Sequence, residues 1–95
     1  MSQQSYVKET QILRRVASDP ECSWEYKKHA LKRMAERNIT APDIEQVLIK
    51  GHVVLEEWKN DILWRVRGRD LDGREVEVVA SVDEGEIKIK VVTVF

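Results

Sequence analysis

One cysteine and two histidines are the only thiol and imidazole side chains this chain of 95 residues contains. Cys22, His29 and His52 are scattered and do not make a zinc-binding spacing, and a lone cysteine cannot close an internal disulfide. No metal and no cofactor is therefore expected. The four glycines occur singly, so no glycine-rich loop is present to cradle a phosphate. Every apolar run falls far short of the ~20 residues that span a membrane as a helix, and no membrane association is expected. The first residues do not read as a secretory signal, which makes a reducing, cytoplasmic setting the expected one. An excess of positive charge is missing too. Sixteen Lys and Arg against 17 Asp and Glu leave a net charge of −1. That balance argues against strong non-specific nucleic-acid binding, so any positive site must be built locally by folding.

What is present is ordinary globular material: 42% hydrophobic and 35% charged residues, which is too apolar for a disordered chain. There is no repeat, linker or low-complexity stretch, and residues 1–95 read as one domain. The first half carries helical periodicity and the second half carries strand alternation, the order of an α+β fold. Ile12, Leu13, Val16 and Ala17 repeat at helical spacing within residues 5–17, and Asp19-Pro20 ends that helix. Cys22, Trp24 and Tyr26 alternate in a short stretch that fits an edge strand. A helix pair over residues 28–50 follows. Its first member turns Leu31, Met34 and Ala35 to the core. Its second is capped by Thr40 with Asp43 three residues on, carries Pro42 in the first turn, buries Ile44, Val47 and Leu48, and stops at Gly51.

Residues 52–95 read as four strands joined by three tight turns. Asn60-Asp61 and Glu84-Gly85 fit two-residue loops, and Leu71-Asp72-Gly73 fits a three-residue loop with glycine in the left-handed position. These turns place Leu55, Val66, Val78 and Val91 in one row of an inner face. Val53, Gly68, Val76 and Thr93 form a second row, and Glu57, Trp64, Ala80 and Ile89 a third. The outer face then holds Glu56, Arg65, Val79 and Lys90, beside Val54, Arg67, Glu77 and Val92, and beside Trp58, Leu63, Ser81 and Lys88. The expected architecture is N-terminal helices packed on one face of a four-stranded antiparallel β-meander.

Three groups of residues stand out as candidate sites. His29, Arg33 and Arg37 step round the helix by ~40° per pair and share a flank. Arginine's planar fork suits phosphate, and an imidazole moves protons near neutral pH. The same spacing also suits solvated charges paired with Glu36 or nearby carboxylates. On the outer sheet face, Arg65, Lys88 and Lys90, with Arg67 and Trp58, make a basic surface with an aromatic, one way to hold single-stranded RNA. Glu56, Glu77 and Glu75 stand opposite Arg65, Arg67 and Arg69, however, and cross-strand pairs of this kind are ordinary sheet stabilisation worth ~0.2–1 kcal/mol each. Lys88 and Lys90 are left without an obvious partner. The same face carries Trp58, Leu63 and Val79 with Val54, Val92 and Val94, more apolar surface than is usually left bare. Either the N-terminal helix covers it, or a second chain does. Cys22 and His52 read as structural.

The run His29-Ala30, Arg33-Met34, Glu36-Arg37, Ile39-Thr40, Asp43-Ile44, Val47-Leu48 and Gly51, with the closing Ile89-Lys90-Val91-Val92-Thr93-Val94, resembles the small bacterial domain of unknown function numbered 4258 (DUF4258). The likeness covers about Tyr26 to Phe95. It implies a fold similar to the RelE-like toxins and a toxin-like, RNA-directed role in a bacterial toxin–antitoxin pair. In its strongest form this is a metal-independent endoribonuclease acting on RNA or at the ribosome, with a small zinc-finger antitoxin as partner. The resemblance gives catalytic roles to His29, Arg33 and Arg37, and a place in the site to Thr93. Two features depart from the toxin pattern: the slightly acidic charge balance, and an ending Thr93-Val94-Phe95 that lacks a tyrosine. They keep two other readings in play. One is a non-catalytic interaction module, docking a protein or a second copy of the chain through Trp58, Leu63 and Val79. The other is a toxin-fold relative without activity.

Overall fold

The computed structural model of the protein describes residues 5–95. They form, in order, α1 (Val7–Ala17), β1 (Ser23–Tyr26), α2 (Lys28–Arg37), α3 (Ala41–Lys50), β2 (His52–Lys59), β3 (Asp61–Arg69), β4 (Glu75–Asp83) and β5 (Lys88–Val94). The architecture is α+β, but the sheet has five strands in the order β1-β5-β4-β3-β2 and is mixed. Strands β2 to β5 make the expected meander. The stretch read as an edge strand, β1, joins it parallel to β5, pairing Trp24 with Ile89 and Tyr26 with Val91. The four-stranded antiparallel reading is thus corrected. Turn chemistry reports only on hairpins, whereas a parallel pair needs a long crossover. Here that crossover is everything from α2 to β4.

The three helices and the inner sheet face share one core. Leu13, Ile44, Val47 and Leu48 are fully buried against Val66, Val78, Ile89, Val91 and Val94. Helix α1 lies on this inner side, packed on α3, and does not cover the outer face. Helix α3 starts with a complete capping box. The Thr40 hydroxyl accepts from the Asp43 N–H at 3.3 Å, and the Asp43 carboxylate accepts from the Thr40 N–H at 2.9 Å. Its far end crosses β3 at a pair of glycines. A Cβ on Gly51 would lie 2.4 Å from the Val47 carbonyl oxygen and 2.6 Å from that of Arg67, so only glycine permits this approach.

Helix α2 differs from its expected orientation. It packs on β5 through a narrow stripe, Ala30 and Met34, while Leu31 and Ala35 are exposed. The buried stripe lies one residue earlier than expected because α2 meets a single strand, and two positions four apart fill that contact. Asn38, in the left-handed conformation at φ 55°, ends it.

Sheet registers divide into one that follows the turns and two that do not. Across Leu71-Asp72-Gly73, with Gly73 at φ 83°, β3 and β4 pair as expected, Val66 with Val78 and Arg69 with Glu75. Between β2 and β3 the chain reverses through Asn60 at φ 54°, and Lys59 pairs with Asp61. A bulge between Val53 and Leu55 then restores Val53 to Val66. Leu55 and Glu57 therefore face outward, while Glu56 and Trp58 share the inner face with Trp64. Between β4 and β5 the turn is longer than expected. Ile87 takes the left-handed conformation at φ 51°, and Asp83 pairs with Lys88. A second irregularity, between Val79 and Ala80, moves Thr93 to the outer face beside Val79 and buries Val94 in the core.

Candidate functional site: the cationic helix α2

Helix α2 carries Lys28, Lys32, Arg33 and Arg37 with His29, and Glu36 is its one acid. His29 and Arg37 are exposed, and Arg33 is half-buried. Among the described residues, no hydrogen bond or ion pair engages the side chains of any of these five. The first turn also has no capping side chain and no acid of its own, so no side chain of the helix start satisfies its amide groups. Sequence reasoning named His29, Arg33 and Arg37 and passed over Lys28 and Lys32. The composition of the helix was the available signal.

The C-terminal end of α2 is held by a polar latch. Arg74 donates from Nε to Asp70 Oδ2 at 2.7 Å, and from Nη1 and Nη2 to the carbonyls of Arg37 at 3.4 Å and Asn38 at 3.2 Å. Asp70 is buried and also accepts from the Asp72 and Arg74 amides. Asp43 binds the same turn, accepting from the Leu71 N–H at 3.0 Å. Hydrogen bonds from the Thr40 and Leu71 amides hold the Asp43 carboxyl below the usual carboxylate range. The result fixes Arg37 at the rim of a cavity of about 320 Å³ shared with Ile39, Arg74, Glu75, Val76 and Phe95.

The sheet's cations are in a different condition. Arg67 donates to Glu77 Oε2 at 2.7 and 2.9 Å, and Arg65 approaches the other oxygen at 3.7 Å while lying over the Phe95 ring at 4.7 Å. Arg69 donates to the Gly73 carbonyl rather than to Glu75. The expected Arg65–Glu56 pair is not formed. Glu56 lies on the other face, where it accepts from the indoles of Trp64 at 2.8 Å and Trp58 at 3.3 Å. Lys88 pairs with Glu25 at 3.1 Å, and hydrogen bonds from Lys88 and Lys27 lower the Glu25 pKa. Lys88 and Lys90 line a cavity of about 300 Å³ together with Asp61, Asp83, Glu84 and Glu86, which gives it an acidic wall.

The expected groupings are therefore redistributed. His29, Arg33 and Arg37 remain together on one flank. Lys88, Lys90, Arg65 and Thr93 lie on the opposite side of the sheet and do not join them. Thr93 Oγ1 and Arg65 Nε are buried without a hydrogen-bond partner among the described residues, in one cross-strand row with Val79. Trp58, Leu63 and Val79 do not form one patch, because the bulge in β2 turns Trp58 to the inner side. Val79 is only 5% exposed beneath its outer-face neighbours. Burial, with Glu45 and Cys22 nearby, pushes the Tyr26 hydroxyl up to about 12.

An α+β domain whose helix after β1 carries the His29-Ala30…Arg33-Met34…Arg37 series, and whose last strand closes beside it, defines a family. The chain belongs to the family described as domain of unknown function (DUF4258), which matches residues 26–95. No curated protein and no solved structure matches the chain. Among the described residues, no helix is long and apolar enough to cross a membrane.

Proposed function

We propose that this protein is a toxin-like, RNA-directed member of a bacterial toxin–antitoxin pair, with the flank His29–Arg33–Arg37 as its phosphate-handling site. The observation that carries the reading is the set of unpaired charges on α2. Although carboxylates and cations are nearly equal in number, the cations of one helix have no partner among the described residues, and a polyanion is a ligand that fits such a helix. The uncapped first turn supports it, since a phosphate oxygen there would meet free amide groups. In cleavage, a ribose 2′-hydroxyl attacks the adjacent phosphorus. His29 takes the proton from that hydroxyl, and the 5′-oxygen leaves with a proton from water, giving a 2′,3′-cyclic phosphate and a 5′-hydroxyl end. Arg33 and Arg37 neutralise the charge that builds on the phosphoryl oxygens. The RelE-like relationship suggested by the family's residues is part of this proposal, and so is a small antitoxin partner.

The test is induced expression in a bacterial host, alongside incubation of the purified protein with single-stranded RNA. The proposal expects growth arrest by the wild type and relief by Arg33→Ala/Arg37→Ala, with soluble yield and circular dichroism unchanged. It also expects salt-sensitive RNA binding that the double variant loses. Normal growth from both chains, together with no RNA affinity at low salt, would overturn it.

A further inference from the structure

We propose that this chain forms a two-fold dimer in which the tip of the β2–β3 hairpin of one copy docks on the outward face of α2 of the other, and the reverse. Two exposed apolar spots of opposite charge carry the inference. At the hairpin tip, Trp58 is 74% exposed and Ile62 37% exposed, on the same side of the ribbon. Glu56 lies on that same side and Asp61 stands at the turn, while Glu57 faces outward and pairs with Lys59 at 3.9 Å. Glu56 Oε2 accepts from the Trp58 indole at 3.3 Å, which holds the ring in place before any contact is made. On α2, Leu31 is 51% exposed with Ala35 on the next turn, and Lys28 and Lys32 flank it with no partner among the described residues.

One spot is an aromatic knob beside two carboxylates, Glu56 and Asp61, and the other an aliphatic patch with two lysines. Tryptophan is among the side chains that most often dominate an interface, and lysine beside an indole adds a cation–π attraction. The two spots cannot satisfy each other within one chain. Helix α2 lies over β5, while Trp58 is on β2 at the opposite sheet edge, about 14 Å away at ~4.8 Å per strand. A second copy supplies both halves. A two-fold axis repeats the unlike contact twice and closes the assembly.

This interface leaves the RNA-directed flank free. At 100° per residue, Lys28, Leu31, Lys32 and Ala35 lie on the side of α2 away from Arg33 and Arg37. The dimer stands or falls without RNA.

Sedimentation equilibrium of the whole chain tests it. We expect a dimer at micromolar concentration that weakens as salt rises. Trp58→Ala and Leu31→Ala should each weaken it at least about tenfold, because each contact occurs twice. Both side chains are exposed, so circular dichroism should be unchanged. The double variant should lose less than the product of the two single losses, since the residues meet across the interface. Lys28→Glu/Lys32→Glu should also weaken it. A wild type monomeric up to about 1 mM, a dimer indifferent to both substitutions, or losses that simply multiply would each overturn the proposal.

Discussion

Strand β3 and helix α2 carry similar numbers of cations and use them in opposite ways. On β3, Arg65 and Arg67 share Glu77 and Arg69 holds the Gly73 carbonyl. On α2, Lys28, Lys32, Arg33 and Arg37 hold nothing among the described residues. A count of Lys and Arg per element separates the two by only one, three on β3 against four on α2. The difference lies in what stands across from each side chain. A strand faces neighbours at fixed register, so carboxylates can be placed opposite. A helix lying on a single strand turns its flanks to solvent, and its charges stay available.

The largest effect should come from removing what positions α2. Asp70→Ala strips the buried carboxylate that holds Arg74 and two amides, and unfolding free energy should fall by about 2–3 kcal/mol in a urea titration. Its RNA affinity, if α2 is the site, should fall as well while Arg33 and Arg37 are intact. The next largest tests the comparison directly. Arg33→Ala/Arg37→Ala should lower affinity for single-stranded RNA by about 10- to 100-fold at low salt and flatten the salt dependence, whereas Arg67→Ala should change it by less than about threefold. Fluorescence anisotropy across a salt series reads both.

A smaller effect concerns pH. The Asp43 carboxyl is held below its ordinary value of 3.8, so the folded state prefers it ionised. Its contribution is full above that ordinary value and is lost as pH falls through the depressed folded value. Asp43→Asn should therefore lower the melting temperature near neutral pH and narrow the gap to wild type as the solution is acidified. A gap that stays constant from neutral pH down to strongly acidic solution would contradict the assignment. Smallest of all, Glu77→Gln should cost under ~1 kcal/mol, because the pair is partly solvated. It frees Arg65 and Arg67, and so should make the sheet face slightly more attractive to RNA, narrowing the contrast from the other side.

Much of the architecture was legible because it rests on local signals. Thr40, Pro42 and Asp43 announce α3, Gly51 its end, and Leu71-Asp72-Gly73 the β3–β4 register. The misread parts rest on residues that adopt the left-handed region without being glycine. Asn60 and Ile87 reshape their turns, and the bulges beside Val54 and Val92 flip the strand ends. Those shifts moved Trp58 and Thr93 across the sheet and dissolved the patch with Leu63 and Val79. Of the candidate site, the α2 flank was visible because a four-residue spacing on one helix does not depend on register. Its isolation from Lys88 and Lys90 was legible as well, because the expected registers already put both lysines on the outer face, away from the helices.

The pairing of β1 with β5 also has a consequence for synthesis. A ribosome releases β1 first of the sheet's five strands, yet its hydrogen-bonding partner is the fifth of them in sequence. Until then α2 has no β5 to lie on, and the stripe Ala30–Met34 stays unburied. The helix that carries the free charges is thus fastened last, by a long-range contact that slows folding. A chain truncated before β5 should therefore lack a docked α2, and the proposed site should first exist only when the sheet is closed.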